Sequence, residues 1–283
     1  MRRLTSKPRT RRSSSRWSVL VVLAIGSLTI LLPLYIVVVT ALKAPGEIVS
    51  GNGIDLPGAL QWQNFVDAWE ATNFPRAFLN TAVVSVGTVL VVLFATSAFA
   101  YALARNSHRW EFRTINVMVL AALFVPFPIV MLPLVQQTAA YGIDNQVGLI
   151  LLYFVFNLPF NTLLYTSFIR SLPIEIEQAA QLDGAGTWRV FWRIVFPLLA
   201  PMNATVGILM FLHSWNDFLL PLVLLTDPEL RTLPLAQSVF SSTTNVSYGP
   251  AFASYLMSVL PVLIVYLISQ RWVLSGVMRG AIQ

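Results

Sequence analysis

The stretch RSLPIEIEQAAQLDGAGTWRVFWRIVFPLLAP, Arg170–Pro201, decides how the chain is read. It places charge, glycine and proline between two long apolar segments, Val147–Phe168 before it and Met202–Leu225 after it. Pro173 fits the first turn of a helix, and Glu175 and Glu177 sit where a helix N-terminus favours negative charge. Ile174, Ala179 and Leu182 fall along one side of that helix. Ala179 and Ala180 are small and let a facing surface come close. Asp183-Gly184 breaks the helix, glycine supplying backbone freedom that few residues tolerate. A second amphipathic segment, Trp188–Val195, leads through Pro197 and Pro201 into the next apolar run. The spacing predicts a helix–turn–helix on the inner membrane face, which either docks a cytoplasmic partner or merely connects two spans.

The surroundings of this loop are those of a membrane protein. Of 283 residues, 56% are hydrophobic and 11% charged, against roughly 25% charged in soluble domains; mean hydropathy is +0.71. An ordinary soluble enzyme, a disordered scaffold and a compact nucleic-acid-binding domain are excluded. The chain has no cysteine, hence no disulfide and no thiolate site. A spanning helix needs about 20 apolar residues. Six segments qualify: Trp17–Leu42, Phe78–Ala104, Ile115–Gln136, Val147–Phe168, Met202–Leu225 and Ala251–Val273. Between the last two, Gln237, Ser238, Ser241, Ser242, Thr243, Thr244, Asn245 and Ser247 mark an external loop. Of the 18 Lys and Arg residues, fifteen fall on one side: the tail of residues 1–16, the loops around Arg109 and Arg189, and Arg271 with Arg279. Only Lys43, Arg76 and Arg231 fall on the other. The bias puts both termini in the cytoplasm. The expected class is an all-α membrane protein of six transmembrane helices, with a basic cytoplasmic tail over 1–16, a permease domain over 17–283 and a cytoplasmic loop over 170–201.

Trp17–Leu42 exceeds the 7–15 residues of a signal-peptide core, so an uncleaved first helix is expected. The basic tail reads as a topogenic segment lying on anionic lipid rather than a nucleic-acid arm. Prolines recur inside the spans at Pro33, Pro126, Pro128, Pro133, Pro159, Pro221 and Pro261. Each frees a carbonyl that neighbouring helices or water must satisfy, which suits a bundle around a passage, although proline is also simply more frequent in membrane helices.

The loop resembles the signature of binding-protein-dependent ATP-binding-cassette (ABC) importer permeases: proline, a short acidic helix, Glu-Ala-Ala, two residues, Asp-Gly-Ala, then Phe, Ile and Pro. Gln178-Ala179-Ala180, Asp183-Gly184-Ala185, Phe191, Ile194, Pro197 and Pro201 keep that spacing. Gln178 replaces the family's Glu, with Glu177 before it. Ser214–Leu225, the DPELRTLPL after it and the C-terminal QRWVLSGVMRGAIQ are similar to the carbohydrate branch, in particular to the second, six-span permease subunit of maltose-type systems. The resemblance implies the type I importer fold and a bacterial or archaeal plasma-membrane location. It also implies a second permease, two ATPase subunits and an external solute-binding protein as partners. Glu177, Gln178, Ala179, Ala180, Asp183, Gly184 and Ala185 would then form the surface coupling the chain to the ATPase. ATP and Mg would be held by that partner; this chain has no G-x-x-x-x-G-K-[ST] phosphate loop, and no nucleic acid is implied. The solute would be a sugar or oligosaccharide, with a polyamine, a peptide or glycerol phosphate as alternatives.

A substrate route is sought among polar residues within the spans. Asn157 and Asn161 are four apart and share a helix face. Trp215-Asn216-Asp217 combines an aromatic face, a planar amide and a carboxylate, and counting from Met202 puts Asp217 about 22 Å up the fifth span. Helix–helix hydrogen bonding is the competing explanation for each. An ion-coupled transporter would need charged residues near the midplane; only Asp217 approaches that. No H-E-x-x-H or G-x-S-x-G suggests an intramembrane enzyme. Gly184→Asp is expected to fold and insert but to block docking, so that the reconstituted complex loses solute-stimulated ATP hydrolysis. Normal stimulation in that variant would refute the docking role.

Overall fold

The computed structural model describes residues 14–241 and 247–280, with side chains over residues 19–241 and 247–268. Residues 1–13 of the basic tail, the loop residues Ser242, Thr243, Thr244 and Asn245, and the Arg271 and Arg279 side chains lie outside it. Every regular element among the described residues is helical. Four helices are long and apolar enough to cross a bilayer: Val19–Ala41, Phe74–Arg105, Gln146–Ser171 and Tyr248–Ile268. Two further pairs pass the same test but are bent. Trp110–Phe124 meets Phe127–Ala140 at 101°, and Thr187–Leu198 meets Ala200–Asn216 at 75°. With each bent pair counted as one span, the total is the expected six.

The third span, read as a straight Ile115–Gln136, is folded over. Pro126 sits in the extended region with φ −70° and ψ 133°, and Pro128 is in the first turn of the next helix. Proline both lacks a donor and pushes the preceding residue out of helical geometry, so two prolines close together end one helix and start another. The fifth span also differs from its sequence reading. Beyond its bend it runs Ala200–Asn216, not to Leu225, and Asp217 leaves the helix with ψ 132°. A separate short helix, Leu219–Leu224, follows. Asp217 therefore lies past the end of the span rather than within it. Its carboxylate accepts the backbone N–H groups of Leu219 and Leu220 at 3.1 and 3.3 Å. An Asp preceding a helix satisfies donors that have no partner inside it.

Two turns of π-helix, Val92–Thr96 in the second span and Phe191–Val195 leading to the fifth, widen the backbone at the end of the bundle that carries the loop. They meet through aromatic rings: Phe94 lies 5.8 Å from Trp192 and 5.5 Å from Phe196. The main core is built there. Tyr101, Tyr165, Ile169, Phe191, Val195, Leu199, Val206 and Met210 join the second, fourth and fifth spans to the second half of the loop. The apolar side of Trp188–Val195 is thus inside the bundle. By contrast, the first span keeps its N-terminal half exposed, from Val19 through Leu32, and packs against the sixth span nearer its C-terminal end. Such surface is ordinary in lipid, where burying apolar side chains against one another brings no transfer gain.

Outside the spans, Asn64 fastens the C-terminal end of the first span. On the helix Gln63–Ala71, its Nδ2 donates to the carbonyls of Ala41 and Lys43, both at 2.9 Å, and Gly249 at the start of the sixth span packs on it. The segment after the fifth span does not cross: Leu233–Gln237 is a short helix whose first N–H bonds the Thr81 hydroxyl at 2.7 Å. Asn64→Ala leaves two carbonyls unpaired, about 1–3 kcal/mol by the cost of an unmade buried bond. The melting temperature of the detergent-purified chain should fall about 2–4 °C per kcal/mol; an unchanged value would show that water replaces the amide.

Candidate functional site

The loop helix Glu175–Leu182 is closed at its C-terminal end by backbone geometry that only glycine adopts readily. Gly184 has φ +84°. The Gly184 N–H donates to Gln181 O and the Ala185 N–H to Ala180 O, both at 3.0 Å. This is the paired C-terminal closure that a left-handed residue permits. Ala180 and Ala185, the two residues it brings together, pack on the main core. Gln178, Ala179, Asp183 and Gly184 remain exposed. Around them the surface is apolar and outward-facing: Ile174, Ile176 and Trp188 are exposed, and Leu182 is 90% exposed. Leu182 and Trp188 extend the candidate contact surface beyond the residues that the motif marks.

Glu177 departs from that surface. It is 5% exposed, and its carboxylate faces into the bundle. Arg105, the last residue of the second span, donates Nε to Oε1 at 2.9 Å and Nη2 to the same oxygen at 2.6 Å. The Tyr101 hydroxyl donates to Oε2 at 2.8 Å. Arg105 Nη2 also reaches the Leu172 carbonyl at 3.3 Å, where the fourth span ends. Glu177 thus lies apart from the exposed surface that Gln178, Ala179, Asp183 and Gly184 share, because a buried charge needs a partner of opposite sign. Nothing local to residue 177 announces a partner 72 positions away.

The five candidate route residues separate into four environments. Asn157 and Asp217 come together in a cavity of about 330 Å³, where Leu123, Phe127, Tyr153, Phe156 and His213 join them. The Tyr153 hydroxyl donates to Asp217 Oδ2 at 2.8 Å. His213 meets the Tyr153 ring edge-on at 5.6 Å, and Phe127 meets Phe156 likewise at 5.4 Å. The cavity lies beside the break in the third span, so proline opens it and the end of the fifth span supplies its charge. Asn161 is elsewhere: fully buried, it donates Nδ2 to Met210 Sδ at 3.1 Å. It serves helix packing, one turn below Asn157 but not in the cavity. Trp215 is 3% exposed, stacked on Phe211 at 5.2 Å and edge-on to Phe78 at 5.6 Å. Its ring is occupied by protein and offers no face to a solute. Asn216 is exposed and donates to Leu212 O at 2.7 Å, outside the cavity lining. Among the described residues, no group of His, Cys, Asp and Glu could hold a metal ion.

The sequence profile of the binding-protein-dependent transport system inner membrane component family matches residues 96–279, which include the loop and the cavity residues of the fourth and fifth spans. The multiple sugar-binding transport system permease protein MsmG of Streptococcus mutans is 36% identical over 266 residues, covering 93% of this chain and 95% of that protein. The diacetylchitobiose uptake system permease protein NgcG of Streptomyces coelicolor is 36% identical over 264 residues, covering 91% and 86%. Among solved structures, a chain of a bacterial ABC transporter involved in import of the acidic polysaccharide alginate superposes with a TM-score of 0.78 at 22% identity, over 94% of this chain and 99% of that one. That likeness is one of fold. With the helical bundle, the loop spacing and these relatives agreeing, the chain belongs to the family of binding-protein-dependent transport system inner membrane components.

Proposed function

We propose that this chain is the permease subunit of an ATP-driven importer that carries a sugar or oligosaccharide delivered by an external solute-binding protein. The observation that supports it most is the loop helix. Its motif residues Gln178, Ala179, Asp183 and Gly184 stay exposed beside Leu182 and Trp188, on a chain whose relatives are named as sugar permeases. An apolar surface of that kind on a loop between spans calls for a protein partner. In this reading a second, different permease completes the passage, and two ATPase subunits hold ATP and Mg²⁺. The loop helix fits a groove on one of them. The chain itself does no chemistry. Both termini lie in the cytoplasm, consistent with the basic-residue bias, and the setting is a bacterial or archaeal plasma membrane.

Solute meets this chain at the cavity between the third, fourth and fifth spans. Aromatic faces at Phe127 and Phe156 and hydrogen-bonding groups at Asn157, His213 and Asp217 are the combination that holds a sugar's apolar and hydroxyl surfaces. Tyr153 and the capped helix keep Asp217 fixed, so that the site changes little as hydroxyls pass.

The test is gentle extraction of the tagged chain from its native membrane with identification of what accompanies it, then uptake by the reconstituted complex with a panel of sugars. An ATPase, a second permease and ATP-dependent sugar uptake are expected. A chain that emerges alone, or that moves solute on an ion gradient without ATP, refutes the reading; uptake of a polyamine, peptide or glycerol phosphate instead refutes the solute class. Within an active complex, Asn157→Leu should slow sugar uptake about two- to tenfold, the worth of one lost hydrogen bond, without altering ATPase retention. Unchanged uptake would remove Asn157 from the route.

A further inference from the structure

We infer that Arg105 and Tyr101 are positioning residues of the transport cycle, which make the inner end of the second span follow the loop helix. The inference rests on the reading of the chain as an ATP-driven permease. The backbone joins the loop helix Glu175–Leu182 directly to two spans only: backwards through Leu172 to the fourth, and forwards through Thr187–Leu198 to the fifth. The second span has no such connection. Force reaches it through side chains.

Beside the shared apolar core, one guanidinium supplies the polar part of that path. Arg105 closes the last turn of the second span, takes Glu177 of the loop helix with two nitrogens, and touches the Leu172 carbonyl at the exit of the fourth span. Tyr101, one turn earlier, holds the other carboxylate oxygen. Both oxygens of Glu177 are therefore tied to the same helix end. Tyr101 also packs its ring at 5.1 Å from Phe191, but rings in contact slide at little cost, whereas two guanidinium nitrogens on one carboxylate oxygen, with the Tyr101 hydroxyl on the other, hold the carboxylate at three points. Enclosure removes the solvent screening that would weaken the pair. The opposite side of the same helix is the exposed one, with Leu182 outermost. A partner pushing there moves Glu177, and Arg105 carries the second span with it. Without the pair, only apolar packing would hold the second span to the loop and to the fourth and fifth spans.

The experiment uses the whole complex in proteoliposomes, with solute uptake and ATP hydrolysis measured together and ATPase retention checked by pull-down. Glu177→Gln keeps the size and hydrogen bonding of the side chain but removes its charge; Arg105→Lys keeps the charge but removes the fork. Both should retain the ATPase. Solute moved per ATP should fall at least about tenfold in Glu177→Gln, the scale of one charge-assisted hydrogen bond, and to a lesser degree in Arg105→Lys. A merely structural role would lower the amount of complex and leave that ratio alone. Should Glu177→Gln fail to assemble, Arg105→Lys decides by the same ratio. An unchanged ratio in assembled variants overturns the inference, as does loss of the ATPase in Glu177→Gln while Arg105→Lys behaves normally, because Glu177 would then act in docking. Absence of ATP-driven uptake by the unaltered complex overturns the importer reading itself, a separate failure.

Discussion

A carboxylate enclosed at the end of a helix bundle must have a cation, and the bond between Glu177 and Arg105 meets that demand. Much of the end of the molecule that carries the loop is arranged around it. The second span has to end at Arg105, level with the exit of the fourth at Leu172. The loop helix has to present its first turn inwards, which leaves its far end and Gly184 facing out. The core beneath, with Tyr101, Phe191 and Ile169, fills the space between those fixed points. A buried pair of this sort is a weak contributor to net stability, because desolvation offsets attraction; its stronger effect is on which arrangement is allowed.

The outer half follows a different constraint: wherever a helix stops, its polar backbone must find partners. Asp217 meets it for the short helix Leu219–Leu224, Thr81 for Leu233–Gln237, and Asn64 for the end of the first span. These are hydrogen bonds between side chain and backbone rather than ion pairs. The exposed pair Arg76–Glu229, at 2.7 Å, adds little by comparison.

What the sequence made legible was local. The Asp183-Gly184 break, the acidic first turn before it and the apolar side of Trp188–Val195 depend on residues within a few positions of one another, and the structure keeps all three. Six spans were likewise legible from composition. The end of the fifth was misplaced because Leu219, Leu220, Leu222, Val223 and Leu224 look like more of the same helix; the Asn216-Asp217 pair, a cap signal, was the clue. Trp215 resembled a sugar platform because an aromatic beside an amide is the right chemistry, but only packing reveals that Phe211 and Phe78 already cover its ring. The Arg105–Glu177 bond was beyond reach, since it depends on how the second span meets the loop. Asn157 and Asn161 share a face by spacing alone, yet one turn of height places them in different surroundings.

The early end of the fifth span also bears on how the chain crosses the bilayer. Ala200–Asn216 is 17 residues, about 25 Å of helix, short of the roughly 30 Å of a bilayer core. A helix that short cannot put both of its ends beyond the core, so the segments joined to it, Thr187–Leu198 and Leu219–Leu224, share in the crossing. Asp217, half-buried at the second of these joints, is an ionisable group close to hydrocarbon, where a charge is costly to solvate. The Tyr153 hydroxyl and the two backbone N–H groups that donate to it supply part of that solvation.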